Sequence, residues 1–232
     1  MPEKLLIPSI EKRLAAFVEA TRRAQLESES KRKARPRPTI TISREFGCEA
    51  YPMTEKLKEL LEEKTGETWA LMDKALLEEV TRNHNLSENV LRNLGTKPRF
   101  LDEMFSTLSP RWRSEKDHYK LLCSHIVSLA EAGNVIIVGR GSSIVTQPLE
   151  NCFHFRMFAS PDFKTKSIAR RLNLSPAEAE KMVHKKQSER DKFIRDFLDR
   201  NAEDLSFYHL IFNNDKNSTG KIARTIVDYI AR

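Results

Sequence analysis

Three groups of residues in this 232-residue chain have the types and spacing to handle phosphate. The first is SREFGCEAYPMT, residues 43–54, which follows the β-branched run TITIS. A loop leaving the carboxyl end of a first strand for a helix is the usual phosphate cradle of an open α/β sheet, because backbone N–H groups and the helix dipole converge there. The template G-x-x-x-x-G-K-[ST] matches at Gly47 and Thr54 but meets Pro52 and Met53 where a glycine and a lysine are wanted. An ordinary strand-to-helix turn accounts for such a segment equally well, and Glu45 and Glu49 repel a polyphosphate unless they point away. The second group is Arg140, flanked by Gly139 and Gly141 after the run NVIIVG. A solvated arginine does not need bare backbone on both sides, and its planar fork suits phosphate oxygens. The third is segment 181–200, with Lys185, Lys186, Arg190, Lys192 and Arg195. Most of these read as a solvated helix face, and Arg195, five residues past Arg190, is not strictly on the same side.

Other chemistries find little support. The six histidines form no HExxH or other paired ligand spacing, and the three cysteines form neither a CxxC pair nor a disulfide framework. A reducing, cytoplasmic location is the expectation. Cys48 lies near a helix start, where a thiol pKa can fall, although simple loop filling suits it better. No apolar run approaches the roughly 18 residues needed to span a bilayer, and MPEKLLIPSIEKRL lacks a secretory core, so no membrane association is expected. The net charge of +7 is divided among segments. Residues 1–38 carry +5, residues 164–200 carry +5, and the rest carries −3. With no RNP, KH or zinc-finger pattern, nucleic acid is not expected as a partner.

These groups need a scaffold, and the pattern of apolar residues supplies one. Within residues 1–38, Ile10, Leu14, Phe17 and Val18 recur at helical spacing, and SESKRKARPRP follows as a basic linker. The stripe of this arm needs burial, either on its own core or on a second copy in a homodimer. From residue 39 to 232, short β-branched runs alternate with helical stretches, as in a parallel sheet. Five strands are expected: 39–43, 68–72, 134–139, 152–158 and 207–212. Met53, Leu57, Leu60 and Leu61 mark a helix ending near Gly66, and Leu122, Ile126, Leu129 and Ala130 mark another capped by Gly133. Ser175-Pro176-Ala177-Glu178 is a capping box that starts a further helix. The predicted fold class is a three-layer α/β/α domain with a five-stranded parallel sheet and an N-terminal helical arm. Residues 73–133 form a helical insertion and 162–200 an arginine-bearing lid.

TITISREFG, then GNVIIVGRGSSIV, the SPAEAEK helix start and KKQSERDKFIR together resemble the cytidylate-kinase-like family of P-loop kinases, from about residue 39 to the C-terminus. Family members typically read SREFGSGG at the first loop, where this chain has Cys48, Glu49, Ala50 and Tyr51 after the shared Gly47. The resemblance implies transfer of the ATP γ-phosphoryl group, with Mg2+, to a nucleoside monophosphate, CMP being the guess. Ser43, Arg44, Gly47 and Cys48 would then hold the ATP phosphates, Thr54 would touch magnesium, and Asn213 would lie near the adenine. Asp73 matches the family's acidic acceptor residue, although an aspartate there is also a good helix cap. Arg140 matches the arginine of a Gly-Arg-Asp that grips the acceptor phosphate, with Gly141 replacing the aspartate. Arg190 matches the lid arginine of an Asp-x-x-Arg pattern whose aspartate is Gln187 here, with Arg195 as a second candidate. The alternative is a catalytically inactive kinase-fold protein serving as a nucleotide sensor or protein-interaction module, motivated by Glu49, Ala50 and Met53 in the phosphate loop.

Overall fold

The computed structural model describes residues 8–19, 37–82 and 113–230. Five strands, β1 (Thr39–Arg44), β2 (Ala70–Met72), β3 (Val135–Val138), β4 (Cys152–Phe158) and β5 (Leu210–Asn213), form one parallel sheet in the order β2-β3-β1-β4-β5. The first strand of the chain is therefore the central one. Thr39 is in register with Val135 on one side and Cys152 on the other. A central strand is buried on both faces, and the alternation of Thr and Ile in β1 meets that demand. Ile40 and Ile42 are fully buried apolar groups, while the Thr39 hydroxyl donates to the Ala130 carbonyl at 2.8 Å and the Thr41 hydroxyl lies 2.8 Å from His154 Nδ1.

Helices cover both faces. Taking the arm helix (residues 10–19) as α1, the rest are α2 (Ala50–Thr65), α3 (Lys74–Arg82), α4 (Arg113–Ala132), the single turn α5 (Ser142–Val145), α6 (Pro161–Leu172), α7 (Pro176–Leu198) and α8 (Thr219–Ile230). Met53, Leu57 and Leu61 of α2 and Ile222 and Ile226 of α8 pack with Ile40, Ile42 and Phe155 on one face. Leu76 and Leu77 of α3 and Leu122 and Ile126 of α4 pack with Met72, Val135 and Ile137 on the other. Three layers follow. α2 ends at Gly66, whose φ of 67° closes the helix by accepting a left-handed turn. α7 begins at the anticipated capping box: the Ser175 side chain accepts from the Glu178 N–H, and the Glu178 carboxylate accepts from the Ser175 N–H.

Two strands begin later than the sequence suggests. Trp69 is almost fully buried and its N–H goes to Glu62 Oε1 at 2.9 Å, so β2 begins only at Ala70. A 3-10 turn at Leu205–Phe207, capped by Asp204, delays β5 to Leu210. The arm's apolar stripe divides: Phe17 is buried and Leu14 packs beside it against the α3–α4 core of the same chain, whereas Ile10 and Val18 stay exposed. Of the expected insertion, α3 and α4 are seen. Arg99 and Arg111, which carried no motif, lie outside the described residues.

A cationic cavity as the candidate functional site

The carboxyl ends of β1 and β3 open onto a cavity of about 380 Å³. Ser43 and Arg44 reach it from β1, Arg140 from the turn after β3, and Lys186 and Arg190 from α7. Lys74, the first residue of α3, completes the cationic wall. On α7, Lys186, Arg190 and Phe193 line the cavity together because spacings of four and seven residues fall on one helical face. The cations sense one another. Arg44 is pushed down to about 9, first by burial and then by the charge of Arg190. Burial likewise lowers Arg140 to about 10, and it lowers Arg190 and, with help from Arg140, Lys74. Among the described residues no carboxylate lies within 4.0 Å of Arg44. A buried cation without a counter-ion is costly, and an anionic ligand is the simplest relief.

Arg140 occupies an unusual backbone. Gly139, Arg140 and Gly141 have φ of 83°, 56° and 72°, three left-handed residues in succession. For a non-glycine residue this costs about 1–2 kcal/mol. The turn aims the guanidinium at the Glu78 carboxylate, with which it pairs, and across the face of Phe193 at 4.6 Å from the ring centroid. Its Nε is buried with no hydrogen-bond partner. The Tyr119 hydroxyl donates to the Arg140 carbonyl at 3.1 Å and steadies the turn. Gly139 is glycine for a second reason: a Cβ there would overlap Nη1 of Arg44 and stand 2.9 Å from its Cζ.

Arg156 and Tyr208 also line the cavity, and neither was anticipated from sequence. Arg156 is 6% exposed; its Nη1 donates to the Ala202 carbonyl at 2.8 Å and to Ser43 Oγ at 3.3 Å. The Tyr208 hydroxyl stands 2.7 Å from the same carbonyl and 3.2 Å from Ser43 Oγ. The available signal was an arginine inside the apolar strand CFHFRMF, where a charge must have a buried reason.

The glycine loop is built differently. Its polar groups are already engaged. The Phe46 N–H donates to Gln187 Oε1 and the Glu49 N–H to Asn214 Oδ1, both at 2.8 Å. Glu45 pairs with Lys164 and Glu49 with Arg170, each at 2.7 Å, so both loop carboxylates hold cations of α6. Gly47 has φ 100°, and a Cβ there would sit 2.6 Å from the Lys164 Cβ, so α6 lies directly on the loop. Cys48 is buried in the core beside Ala50 and Met53, and burial pushes its thiol up to about 12, which makes it loop filling and not a reactive group. Thr54, expected at magnesium, is fully buried: α2 begins as early as Ala50, and the Thr54 hydroxyl donates to the Tyr51 carbonyl at 2.9 Å. In the loop as folded, the Phe46 and Glu49 N–H groups and the Thr54 hydroxyl are thus given to partners within the protein. Among the described residues no group of three or more His, Cys, Asp or Glu side chains could hold a metal ion.

Of the residues singled out from sequence, Ser43, Arg44, Arg140 and Arg190 come together in the cavity, while Gly47, Cys48, Thr54 and Asn213 do not line it. Asn213 Oδ1 accepts from the Asp215 N–H at 2.9 Å in a turn, and its neighbour Asn214 is the residue that ties down the loop. Arg195 is exposed and points elsewhere, as its spacing from Arg190 foretold. Asp73 flanks the cavity, but its carboxylate caps α3 through the Leu76 N–H at 3.0 Å and pairs with Arg13 of the arm at 2.5 Å. Gln187, in place of the lid aspartate, latches α7 to the loop, and Arg190 does so again through the Arg44 carbonyl at 3.2 Å and the Phe46 ring at 5.0 Å.

A five-stranded parallel sheet in this order with helices on both faces is a three-layer α/β/α fold. Residues 39–216 match the cytidylate kinase-like family, and the chain belongs to it. Among solved structures, the fold is similar to an uncharacterized protein from Eubacterium ventriosum, at 22% identity and a TM-score of 0.66, covering 84% of this chain and 98% of that one. It is also similar to a shikimate kinase from Bacteroides thetaiotaomicron (14% identity, TM-score 0.48, 84% and 99% covered) and a dephospho-CoA kinase from Campylobacter jejuni (10%, 0.35, 84% and 98%). No curated protein matches the sequence. No helix among the described residues is long and apolar enough to cross a membrane.

Proposed function

We propose that this chain binds a nucleoside monophosphate, with CMP the first to test, through its phosphate in the cationic cavity, and that it acts as a nucleotide sensor without ATP-dependent transfer. The observation that carries this reading is the convergence of Arg44, Arg140 and Arg190, with Lys74, Arg156 and Lys186, on one space where the cations outnumber the lining carboxylates Glu189 and Asp191. Three guanidinium forks supply charge-assisted hydrogen bonds to a phosphate dianion, and neutralising their mutual repulsion adds to the gain. Ser43 and Tyr208 offer hydroxyls at the same wall. A volume of about 380 Å³ accommodates a phosphate and much of a nucleoside. The donor side argues against transfer, because Gln187 and Asn214 already take the Phe46 and Glu49 N–H groups that ATP phosphates would use.

Phosphoryl transfer from ATP with Mg2+ to CMP is the second reading. It is favoured by Arg190, which α7 carries over the cavity beside Arg44, where a lid arginine neutralises a transferring group. Titration calorimetry with CMP and with ATP plus magnesium, beside a transfer assay across the nucleoside monophosphates, separates the two. The sensor reading expects CMP to bind, Arg140→Ala to weaken it at least tenfold, and ATP to show no heat at millimolar concentration. Turnover of any nucleoside monophosphate refutes it in favour of the second reading. Absence of binding by CMP and every other monophosphate refutes both.

A further inference from the structure

The arm lies outside the family match, yet one of its side chains pairs with Asp73, the neighbour in sequence of the cavity-lining Lys74. α1 is held by Phe17, buried in the α3–α4 core, and that anchor sets Arg13 against two partners. The Arg13 guanidinium meets Asp73 Oδ1 at 2.5 Å and stands 5.9 Å from the centroid of the Tyr51 ring. It is well sheltered, at 11% side-chain exposure. Asp73 closes β2 next to Lys74, a lining residue, and its charge is felt by Arg44. Glu189 and Asp191 of α7 line the cavity themselves, and Asp73 adds a further acid whose charge reaches Arg44 from the β2 side.

We propose that Arg13 is a positioning residue of the anion site: by holding Asp73 it keeps that carboxylate from compensating Arg44 and Lys74, and so preserves the cavity's positive charge for a phosphate ligand. Two electrostatic effects act in the same direction. Arg13 adds a cation beside Asp73, and it competes for the acid on the β2 side that would otherwise turn toward Arg44. The linkage is reciprocal, so a bound anion relieves the pull of Arg44 on Asp73 and leaves that carboxylate more firmly with Arg13. Ligand binding and arm docking then reinforce each other, and a chain with the arm docked is the form with highest affinity.

This inference rests on the reading of the cavity as a phosphate site, and one experiment separates the two. CMP and pyrophosphate are titrated calorimetrically into the full chain as wild type, Arg13→Ala, Arg13→Lys, Asp73→Asn and the Arg13→Ala/Asp73→Asn double variant. Circular dichroism checks that each is folded. Arg13→Ala is expected to weaken both probes about five- to tenfold, within the range of ordinary site coupling. Arg13→Lys is expected to recover at least half of that loss on a logarithmic scale. In the Asp73→Asn background, Arg13→Ala is expected to shift Kd less than twofold, a result that loss of packing alone does not produce. Equal or tighter binding by Arg13→Ala overturns the proposal and makes the arm either inert or a competitor for the site. So does an undiminished Arg13 effect in the Asp73→Asn background. If the wild type binds neither probe, the reading of the cavity falls first and this inference with it.

Discussion

Gly139→Ala separates the cost of a strained backbone from the cost of a displaced arginine. Gly139 has φ 83°, where an L side chain is disfavoured by about 1 kcal/mol. Gly66 provides the control, since at φ 67° it carries the same kind of strain but a Cβ there meets nothing within 4 Å. The Gly139 Cβ overlaps the Arg44 Nη1 and stands 2.9 Å from Cζ, so the guanidinium must shift from its place at the cavity wall. Losing a charge-assisted hydrogen bond from Arg44 to a phosphate is worth about 1.5–3 kcal/mol, or roughly 10- to 100-fold in Kd. Both alanine variants are expected to lose about 1 kcal/mol of stability, lowering Tm by about 2–4 °C. Only Gly139→Ala is expected to weaken CMP binding, by that 10- to 100-fold. Thermal unfolding followed by circular dichroism gives the first quantity and calorimetry the second. A Gly139→Ala variant with wild-type affinity, or a Gly66→Ala variant with an equal loss, would show that Arg44 does not hold the ligand.

Two further predictions test the scaffold. Ser175→Ala removes one half of the α7 capping box and should cost about 1 kcal/mol, read as a shift in urea midpoint at unchanged slope; no shift would mean that α7 is held by its lid contacts alone. His125 and His154 are buried, and burial lowers both from the usual 6.5 to about 4. The unfolded chain then binds more protons than the folded one between those values, so stability is full above pH 6.5, falls as the pH drops toward 4 and levels below it. Urea midpoints from pH 7.5 to 4 should fall with His154 present and fall less in His154→Asn; a flat profile would contradict buried neutral imidazoles.

The scaffold was more legible in sequence than the site. β4 was expected at 152–158 and spans Cys152–Phe158, and the α7 start at Ser175 was readable because a capping box is a local pattern. β2 and β5 shifted for reasons that are not local: Trp69 gives its N–H to Glu62, and Asp204 builds a 3-10 turn. In the site, Arg140 stood out because two glycines frame it, Arg44 because it lies in the loop after the first strand, and Arg190 only through its match to the family's lid arginine. Arg156 and Tyr208 escaped notice because their meeting at the Ala202 carbonyl depends on a turn that no periodicity encodes. The glycine loop was the least legible. Its spacing half fits a phosphate cradle, and its N–H contacts to Gln187 and Asn214, far off in the chain, follow no local pattern.

The central position of β1 bears on how the chain is made. Its partners at Val135 and Cys152 lie about a hundred residues downstream, so during synthesis the first strand waits unpaired until β3 has emerged, and open on its other edge until β4 follows. Contacts this distant fold slowly, and an apolar strand left waiting is open to misassociation. The residue run just before it, SESKRKARPRP, is basic and broken by prolines, a composition that keeps neighbouring nascent chains apart and does not extend a strand. A fragment ending before β4, which leaves one edge of β1 without its partner, should collect in aggregates while the full chain does not.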